Sequence, residues 1–373
     1  MYIPFRQFHL LKFLKEYEQL KLPLDISLHL YFKKQKQLGS KDRRFIANTS
    51  FNIIRWQALL DFYEKVPSWE SRLKKILSMD CFSFSPSEEV PEHIRVSFPK
   101  HYYEWIRKSY GSAKSQNICL ICNEQAPITV RVNSLKINRD ALYEKWKKRF
   151  PLQKTKSPYG LIFKDRISLF SLEEFKQGYF EMQDEGSQML AALIDAKKKE
   201  KILDYCSGSG GKTLAFAPLM QNTGQIYLHD LRKSALFQAK KRLKRAGIQN
   251  AQILSYDSSY KKKLRLQMDK VVVDAPCSGS GTLRRNPDMK WRLSPKDLEN
   301  LIVTQRTIFK EALDYVKPKG FIYYMTCSLF VEENQKQMHY FQENLSVRLI
   351  KTSFWLPESQ GKDGFFAAVF EKK

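Results

Sequence analysis

From about residue 186 onward, short apolar runs of strand character alternate with helical stretches, and this rhythm constrains the fold more than any other feature of the sequence. The strand KILDY (201–205) leads through a glycine-rich turn into a helix, and GQIYLHD (224–230) leads into the helix RKSALFQAKKRLKRAG. AQILSYD (251–257) and DKVVVDAP (269–276) follow. A long helix over about 295–316 closes at Lys317-Pro318-Lys319-Gly320, ahead of FIYYMTCS (321–328). Several strands of the buried type, each followed by a helix, predict a parallel, doubly wound α/β sheet.

The chain upstream reads differently. Residues 1–93 are predicted helical, with apolar periodicity through SKDRRFIANTSFNIIRW and SWESRLKKILSM and an opening amphipathic helix that places Leu10, Leu11, Leu14 and Tyr17 on one face. FSFSPSEEVPEH (82–93) carries the breaker residues of a linker. Residues 94–185 mix elements: a helix at HYYEWIRKSYG, a strand at ITVRVNSL (128–135), a helix after Asn138 as N-cap, and short strands at GLIF and GYFEM. These make a small α+β module ahead of a third region, 186–373.

Charge narrows the partner. The chain carries 64 Lys+Arg against 39 Asp+Glu, a formal net charge of +25, which suits a polyanion whose counterions are released on contact. No apolar run approaches the ~20 residues of a spanning helix, so no membrane partner is expected. The first segment, broken by Arg6, Lys12, Lys15 and Glu16, lacks the apolar core of a signal peptide. Six cysteines are too few for a disulfide scaffold, which places the chain in a reducing cytoplasm. Cys119 and Cys122 form a C-x-x-C with no second pair or spaced histidine, so they read as small apolar helix residues and no metal is expected.

The turn Cys206-Ser207-Gly208-Ser209-Gly210-Gly211-Lys212, between Asp204-Tyr205 and Thr213, stands between a strand and a helix. Its glycines let backbone approach a ligand. A Walker A loop would need glycine at position 206, and a G-x-G-x-x-G starting at Gly208 would need glycine at position 213; neither is present. A nucleotide-type loop without a phosphate pattern points to a ligand without pyrophosphate, such as S-adenosylmethionine. Asp230, Asp257 and Asp274 end successive strands, where ligands of open α/β sheets bind. Asp230 is placed for the ribose hydroxyls and Asp257 for the adenine end.

Two thiols reach the same edge, Cys277 in Asp274-Ala275-Pro276-Cys277-Ser278 and Cys327 in Thr326-Cys327-Ser328. Carbon 5 of cytosine is a poor nucleophile toward a methyl sulfonium. A thiolate adding to carbon 6 makes the ring an enamine and carbon 5 reactive. Protonation or hydrogen bonding at ring nitrogen 3, a role for Asp274, helps that addition. After transfer a base removes the carbon-5 proton and the thiol leaves. The base must also leave its stack, most easily from single-stranded or loop RNA. The residues alone do not choose which cysteine attacks.

These motifs, with APITVRVNSLK, QDEGSQ (183–188), VVVDAPCSGSGTLRRNPDMKWR, YYMTCSLFVEEN and KDGFFAAVF, resemble the RsmB-like branch of the Sun-family RNA (cytosine-5)-methyltransferases over about 125–373. The resemblance implies a Rossmann-like seven-stranded methyltransferase sheet preceded by a small RNA-binding module. It also implies that Cys206 to Lys212 with Asp230, Asp257 and Asp274 hold S-adenosylmethionine, that Cys327 is the nucleophile, and that Cys277 assists proton removal and release. The DNA cytosine-5 enzymes are similar but attack with the cysteine of the Pro-Cys pair, which here would be Cys277. The turn departs from the family's usual Ala-Ala-Pro run, with Ser207-Gly208-Ser209 instead. The N-terminal region resembles the family's NusB-like helical domain around SKDRRFIANTSFNIIRW.

Small-subunit ribosomal RNA is the favoured substrate; transfer RNA and a non-catalytic ribosome-assembly role are the alternatives, and a monomer is expected. Basic residues interleave with aromatics at Arg43-Arg44-Phe45, Tyr102-Tyr103, Trp105-Ile106-Arg107-Lys108 and Arg284-Arg285 with Lys290-Trp291-Arg292. Such planes stack on splayed bases, and the 284–292 segment is the favoured RNA contact.

Overall fold

The computed structural model describes residues 3–79, 86–87, 89–254 and 262–373. By internal packing they form two compact units, 1–125 with 282–295, and 126–281 with 296–373. The helices Lys100–Tyr110 and Ser112–Asn123 therefore fall with the N-terminal helices, and the small four-stranded sheet falls with the large one, a division different from 1–93, 94–185 and 186–373. Among the described residues no helix is long and apolar enough to cross a membrane.

The first unit is helical. Leu10, Leu14, Ile46, Ile53, Leu59 and Leu60 are fully buried where Phe5–Leu20 and Ser40–Phe62 pack, which is the apolar face that the first helix's periodicity predicts. Cys119 and Cys122 are buried on the helix Ser112–Asn123.

The second unit contains two sheets. The smaller has four antiparallel strands, β1 (Ile128–Val132), β2 (Leu152–Lys154), β3 (Gly160–Phe163) and β4 (Phe180–Met182), in the order β2-β3-β1-β4. Asn138 caps the helix Arg139–Lys147 by accepting from the Asp140 amide, and Trp146 from that helix fills the module's core, with Val130, Phe163 and Phe180.

The larger sheet has seven strands: β5 (Lys201–Asp204), β6 (Gln225–Leu228), β7 (Ala251–Ile253), β8 (Met268–Asp274), β9 (Val316–Thr326), β10 (Val347–Trp355) and β11 (Phe365–Lys372), in the order β10-β11-β9-β8-β5-β6-β7. Burial on both faces explains the runs without polar alternation: Val272 packs into one core, Val271 and Val273 into the other. The sheet is mixed, not parallel throughout. The five strands β9, β8, β5, β6 and β7 are parallel, while β11 runs antiparallel to β9 and β10, adding a hairpin edge that residue patterns alone did not indicate.

The long helix also ends earlier than expected, at Leu313. Lys317-Pro318-Lys319-Gly320 lies within β9 and makes a register irregularity against β8, with Lys319 at φ 62. Proline lacks an amide to donate, and a bulge accommodates both residues without breaking the strand. Chain connections leave β5 in opposite directions across the β5–β8 junction, so the carboxyl ends of β5, β6, β8 and β9 open on the crevice where α/β sheets bind ligands.

Candidate active site

The glycine turn joins β5 to the site. Its path is fixed by Ser207, whose amide and hydroxyl both donate to the His229 carbonyl, at 2.9 and 3.1 Å. Gly208 and Gly210 adopt φ of 53 and 79, a region costly for any residue with a Cβ. A Cβ at Gly211 would meet nothing within 4 Å, so the turn fronts open space. The expected helix after the turn is one short α segment, Thr213–Phe216, continued as a 3-10 segment, Ala217–Met220, so helical dipole effects there are slight.

Residues that sequence reasoning did not single out hold this turn. Arg131 of β1 and Gln183 donate to the Gly211 carbonyl at 3.3 and 3.2 Å. Arg242 donates to the carbonyl and hydroxyl oxygens of Ser209 at 2.8 and 2.7 Å and pairs with Glu181 of β4. The Ser209 hydroxyl, part of the departure from Ala-Ala-Pro, is thereby used. Arg131 gave a sequence signal as a lone cation inside the apolar strand ITVRV, whereas Arg242 sits among other basic residues of the helix Lys233–Ala246 and gave none.

Of the expected acids, Asp230 and Asp274 reach the crevice, and Asp257 lies outside the described residues. Asp230 Oδ2 accepts the Gly208 amide at 2.8 Å, and Oδ1 accepts the Arg232 amide at 2.8 Å. The Arg232 guanidinium, 71% exposed, caps the same carboxylate at 3.1 Å. Burial raises the cost of its charge, but these donors outweigh burial and hold Asp230 below the usual carboxylate range. Asp274 Oδ2 is 2.9 Å from Lys212 Nζ, which also donates to Ser187 Oγ at 3.1 Å. Burial works against the Lys212 ammonium, Asp274 more than offsets it, and the lysine titrates above its ordinary value. Asp204 is fully buried, and Oδ2 accepts the Thr213 hydroxyl at 2.6 Å. Its Oδ1 has no hydrogen-bond partner among the described residues, and burial pushes the acid up to about 7.

The thiols of Cys277 and Cys327 meet with their sulfurs 3.4 Å apart, each partly exposed. Gln305 holds the first turn through the Pro276 carbonyl at 3.0 Å. Asn334 brackets the second, accepting from the Thr326 hydroxyl at 2.6 Å and donating to the Ser328 carbonyl at 2.8 Å. The Gly281 amide links the two turns by donating to the Cys327 carbonyl at 2.8 Å. Contact with Cys327, and then burial, pushes the Cys277 thiol well above its usual value. Cys206 is also pushed up, by burial and then by Asp204, Asp274 and Asp230, which keeps it a thiol.

The favoured RNA segment is not an open basic surface. Lys290 is fully buried in the first unit, where its Nζ donates to the Arg55 carbonyl and Asn123 Oδ1, both at 2.8 Å, above the Phe98 ring, and burial pushes its pKa well below the ordinary lysine value. Arg284 is 2% exposed, and its carbonyl accepts from Arg55 at 2.9 Å. Trp291 donates to the Ile54 carbonyl at 2.7 Å. Tyr102 and Tyr103 are core residues as well. Spacing alone could not show that Lys290 satisfies the Arg55 carbonyl, beside the break at Trp56 in the helix Ser40–Phe62. Arg107 and Lys108 remain exposed beside half-buried Trp105.

Comparisons with known proteins bear on the family and the fold. The family described as 16S rRNA methyltransferase RsmB/F matches residues 191–371, and an RsmF/B-like ferredoxin-like domain matches residues 98–168. The Bacillus subtilis protein named "Probable ribosomal RNA small subunit methyltransferase B" is 30% identical over 308 residues, covering 75% of this chain and 68% of that protein. The mouse "28S rRNA (cytosine-C(5))-methyltransferase" is 30% identical over 278 residues, covering 66% of this chain and 35% of that protein. The chain thus spans about two thirds of the bacterial relative's length and about a third of the mouse one's. The solved structure of PH0851 shares the fold over 100% of both chains, with a TM-score of 0.82 at 24% identity.

Proposed function

The chain belongs to the RsmB/F family of rRNA methyltransferases, and from that premise we propose that it moves a methyl group from S-adenosylmethionine to carbon 5 of a cytosine in RNA, with small-subunit ribosomal RNA the favoured substrate. The observation that carries the proposal is the 3.4 Å contact of two thiols at the carboxyl edge of the sheet, beside the Lys212–Asp274 pair. Two sulfurs so close can serve one pyrimidine ring.

The residues present fit the methyl donor. Open space above Gly211, the buried Oδ1 of Asp204, which has no partner among the described residues, and the row of carboxylates suit a cationic nucleoside without phosphates. When bound, S-adenosylmethionine supplies an electrophilic methyl group. Cys206 to Lys212 line its path, Asp230 takes the ribose hydroxyls as the exposed Arg232 side chain gives way, and Asp257 serves the adenine end.

Cys327 adds to carbon 6 of the flipped cytosine and makes carbon 5 nucleophilic. The Lys212 ammonium interacts electrostatically with Cys327, and a nearby cation is the setting a thiolate requires. Asp274 holds the nitrogen-3 edge of the ring. Cys277, pushed up by contact with Cys327 and then by burial, is a thiol during the attack. After methylation Cys277, its own proton lost to solvent, takes the carbon-5 proton as the bond from Cys327 to carbon 6 breaks, and the Cys327 sulfur leaves as thiolate. The four-stranded module and the NusB-like helices of residues 1–93 hold the RNA. The reading is of a cytoplasmic monomer.

The test uses purified protein, ribosomal RNA transcripts and labelled methyl donor. Cys327→Ala abolishes transfer, whereas Cys277→Ala accumulates a covalent protein–RNA adduct. An adduct with Cys327→Ala instead would exchange the two roles. Absence of cytosine methylation in ribosomal and transfer RNA alike would remove the proposal.

A further inference from the structure

We propose that Glu333 is the positioning residue that ties the two cysteine turns together and so fixes the contact between Cys277 and Cys327. Its side chain has no solvent exposure and lies behind the thiols. Oε1 accepts from the Ser278 amide and from Gln305 Nε2, both at 2.9 Å. Oε2 accepts the hydroxyls of Ser278 and Ser328. Ser278 follows Cys277 and Ser328 follows Cys327, so one carboxylate grips the residue adjoining each sulfur.

The arrangement is over-determined, as a positioning device requires. The Ser280 hydroxyl lies 3.0 Å from that of Ser278 and 3.1 Å from that of Ser328, and it accepts the Leu329 amide at 2.7 Å. The Glu333 backbone is itself fixed, because its carbonyl accepts the buried Tyr324 hydroxyl at 2.7 Å. Gln305 ties Glu333 to the first turn, since the same amide nitrogen also reaches the Pro276 carbonyl. Four donors converge on the two oxygens, and a buried carboxylate is tolerated only with such pairing. Burial pushes the Glu333 acid up while the serine, amide and glutamine donors pull it back. No chemistry in the proposed reaction uses this carboxylate. Its burial cost is offset only by what it holds in place.

The function follows from distance. A thiol pair that must address carbon 6 and carbon 5 of one ring tolerates little displacement, and an error of about 1 Å in such a site costs about 100-fold in rate. Without Glu333, four donors lose their acceptor and the turns are free to separate. A glutamine can stand in: its oxygen takes the place of Oε1, and its amide faces the serine hydroxyls, which can rotate to accept.

This inference rests on the methyl-transfer reading, so the test includes a measurement that needs no substrate. Diamide removes the two thiol hydrogens and joins Cys277 to Cys327 as a disulfide, which is quantified by mass spectrometry of the full-length protein. Glu333→Ala is expected to slow this oxidation roughly tenfold or more, because the sulfurs no longer stay in contact. Single-turnover methyl transfer falls about 100-fold, with affinity for S-adenosylmethionine and KM for RNA unchanged. Glu333→Gln restores most of both rates. Should Glu333→Ala not fold, the Ser278→Ala, Ser328→Ala double variant severs Oε2 from both turns, and the same losses are expected. Oxidation at the wild-type rate in Glu333→Ala or the double variant would overturn the proposal, as would a Glu333→Gln protein as slow as Glu333→Ala. Failure of the wild type to methylate RNA would count against the enzymatic reading alone, because the oxidation rates still judge the clamp.

Discussion

Asp204 offers a quantitative test of the site's electrostatics. It is fully buried at the end of β5, accepts one hydrogen bond on Oδ2, and has no partner for Oδ1 among the described residues. Burial raises it from 3.8 to about 7. For an acid raised in this way the folded protein binds more protons than the unfolded chain between the two values, so stability is highest below the unfolded pKa and falls as pH rises toward the folded one. Integrated over that window, the carboxylate removes about 2–3 kcal/mol of unfolding free energy between about pH 5 and about pH 8. Asp204→Asn abolishes the titration while keeping an acceptor for Thr213. Its amide introduces an unpaired buried donor at a cost of about 1–3 kcal/mol that is independent of pH. Chemical denaturation at both pH values separates the two effects: the wild type loses that increment relative to the variant as pH rises. Parallel stability–pH curves for the two proteins would refute the reasoning. A bound sulfonium offsets the same charge, so affinity for S-adenosylmethionine is expected to rise through the same window in the wild type and not in Asp204→Asn.

Other substitutions test single contacts. Lys212→Met removes the cation from Asp274, whose partial exposure holds the cost to roughly 1–3 kcal/mol; calorimetry should show weaker S-adenosylmethionine binding, and unchanged affinity would exclude Lys212 from the cofactor site. Arg232→Ala frees Asp230 for the ribose, so affinity stays the same or tightens; a loss beyond about tenfold would mean that the guanidinium contacts the ligand itself. Gly281→Ala drives a Cβ into the Gly364 carbonyl and to 3.0 Å from that of Cys327. It should cost about 1–3 kcal/mol and reduce methyl transfer more than cofactor binding, and full activity would show that the thiol turns yield readily.

The central sheet was legible because a strand buried on both faces has to be apolar without interruption, as VVV in β8 and IYYM in β9 are. The edge hairpin was not, because β10 carries exposed polar residues such as Lys351 and Thr352 and pairs over a long loop. The two cysteines were legible as strand-end residues, since strand direction puts every carboxyl terminus of a parallel sheet on one side. Their contact distance depends on Glu333, Gln305 and Asn334, which are far from at least one of the two thiols in sequence. Lys290 and Arg284 show the opposite case, where charge and aromatic spacing suggested an RNA surface but Lys290 Nζ is satisfied by the Arg55 carbonyl and Asn123 Oδ1 inside a helical core.

By itself the sequence determined the parallel strands and most helices, the edge on which the chemistry sits and the residue types available there, because periodicity, chain direction and thiol reactivity are local properties. Tertiary structure alone decided which polar groups are partners and which are open to a ligand. A buried charge persists only where distant donors converge on it, and that convergence is created when the chain folds.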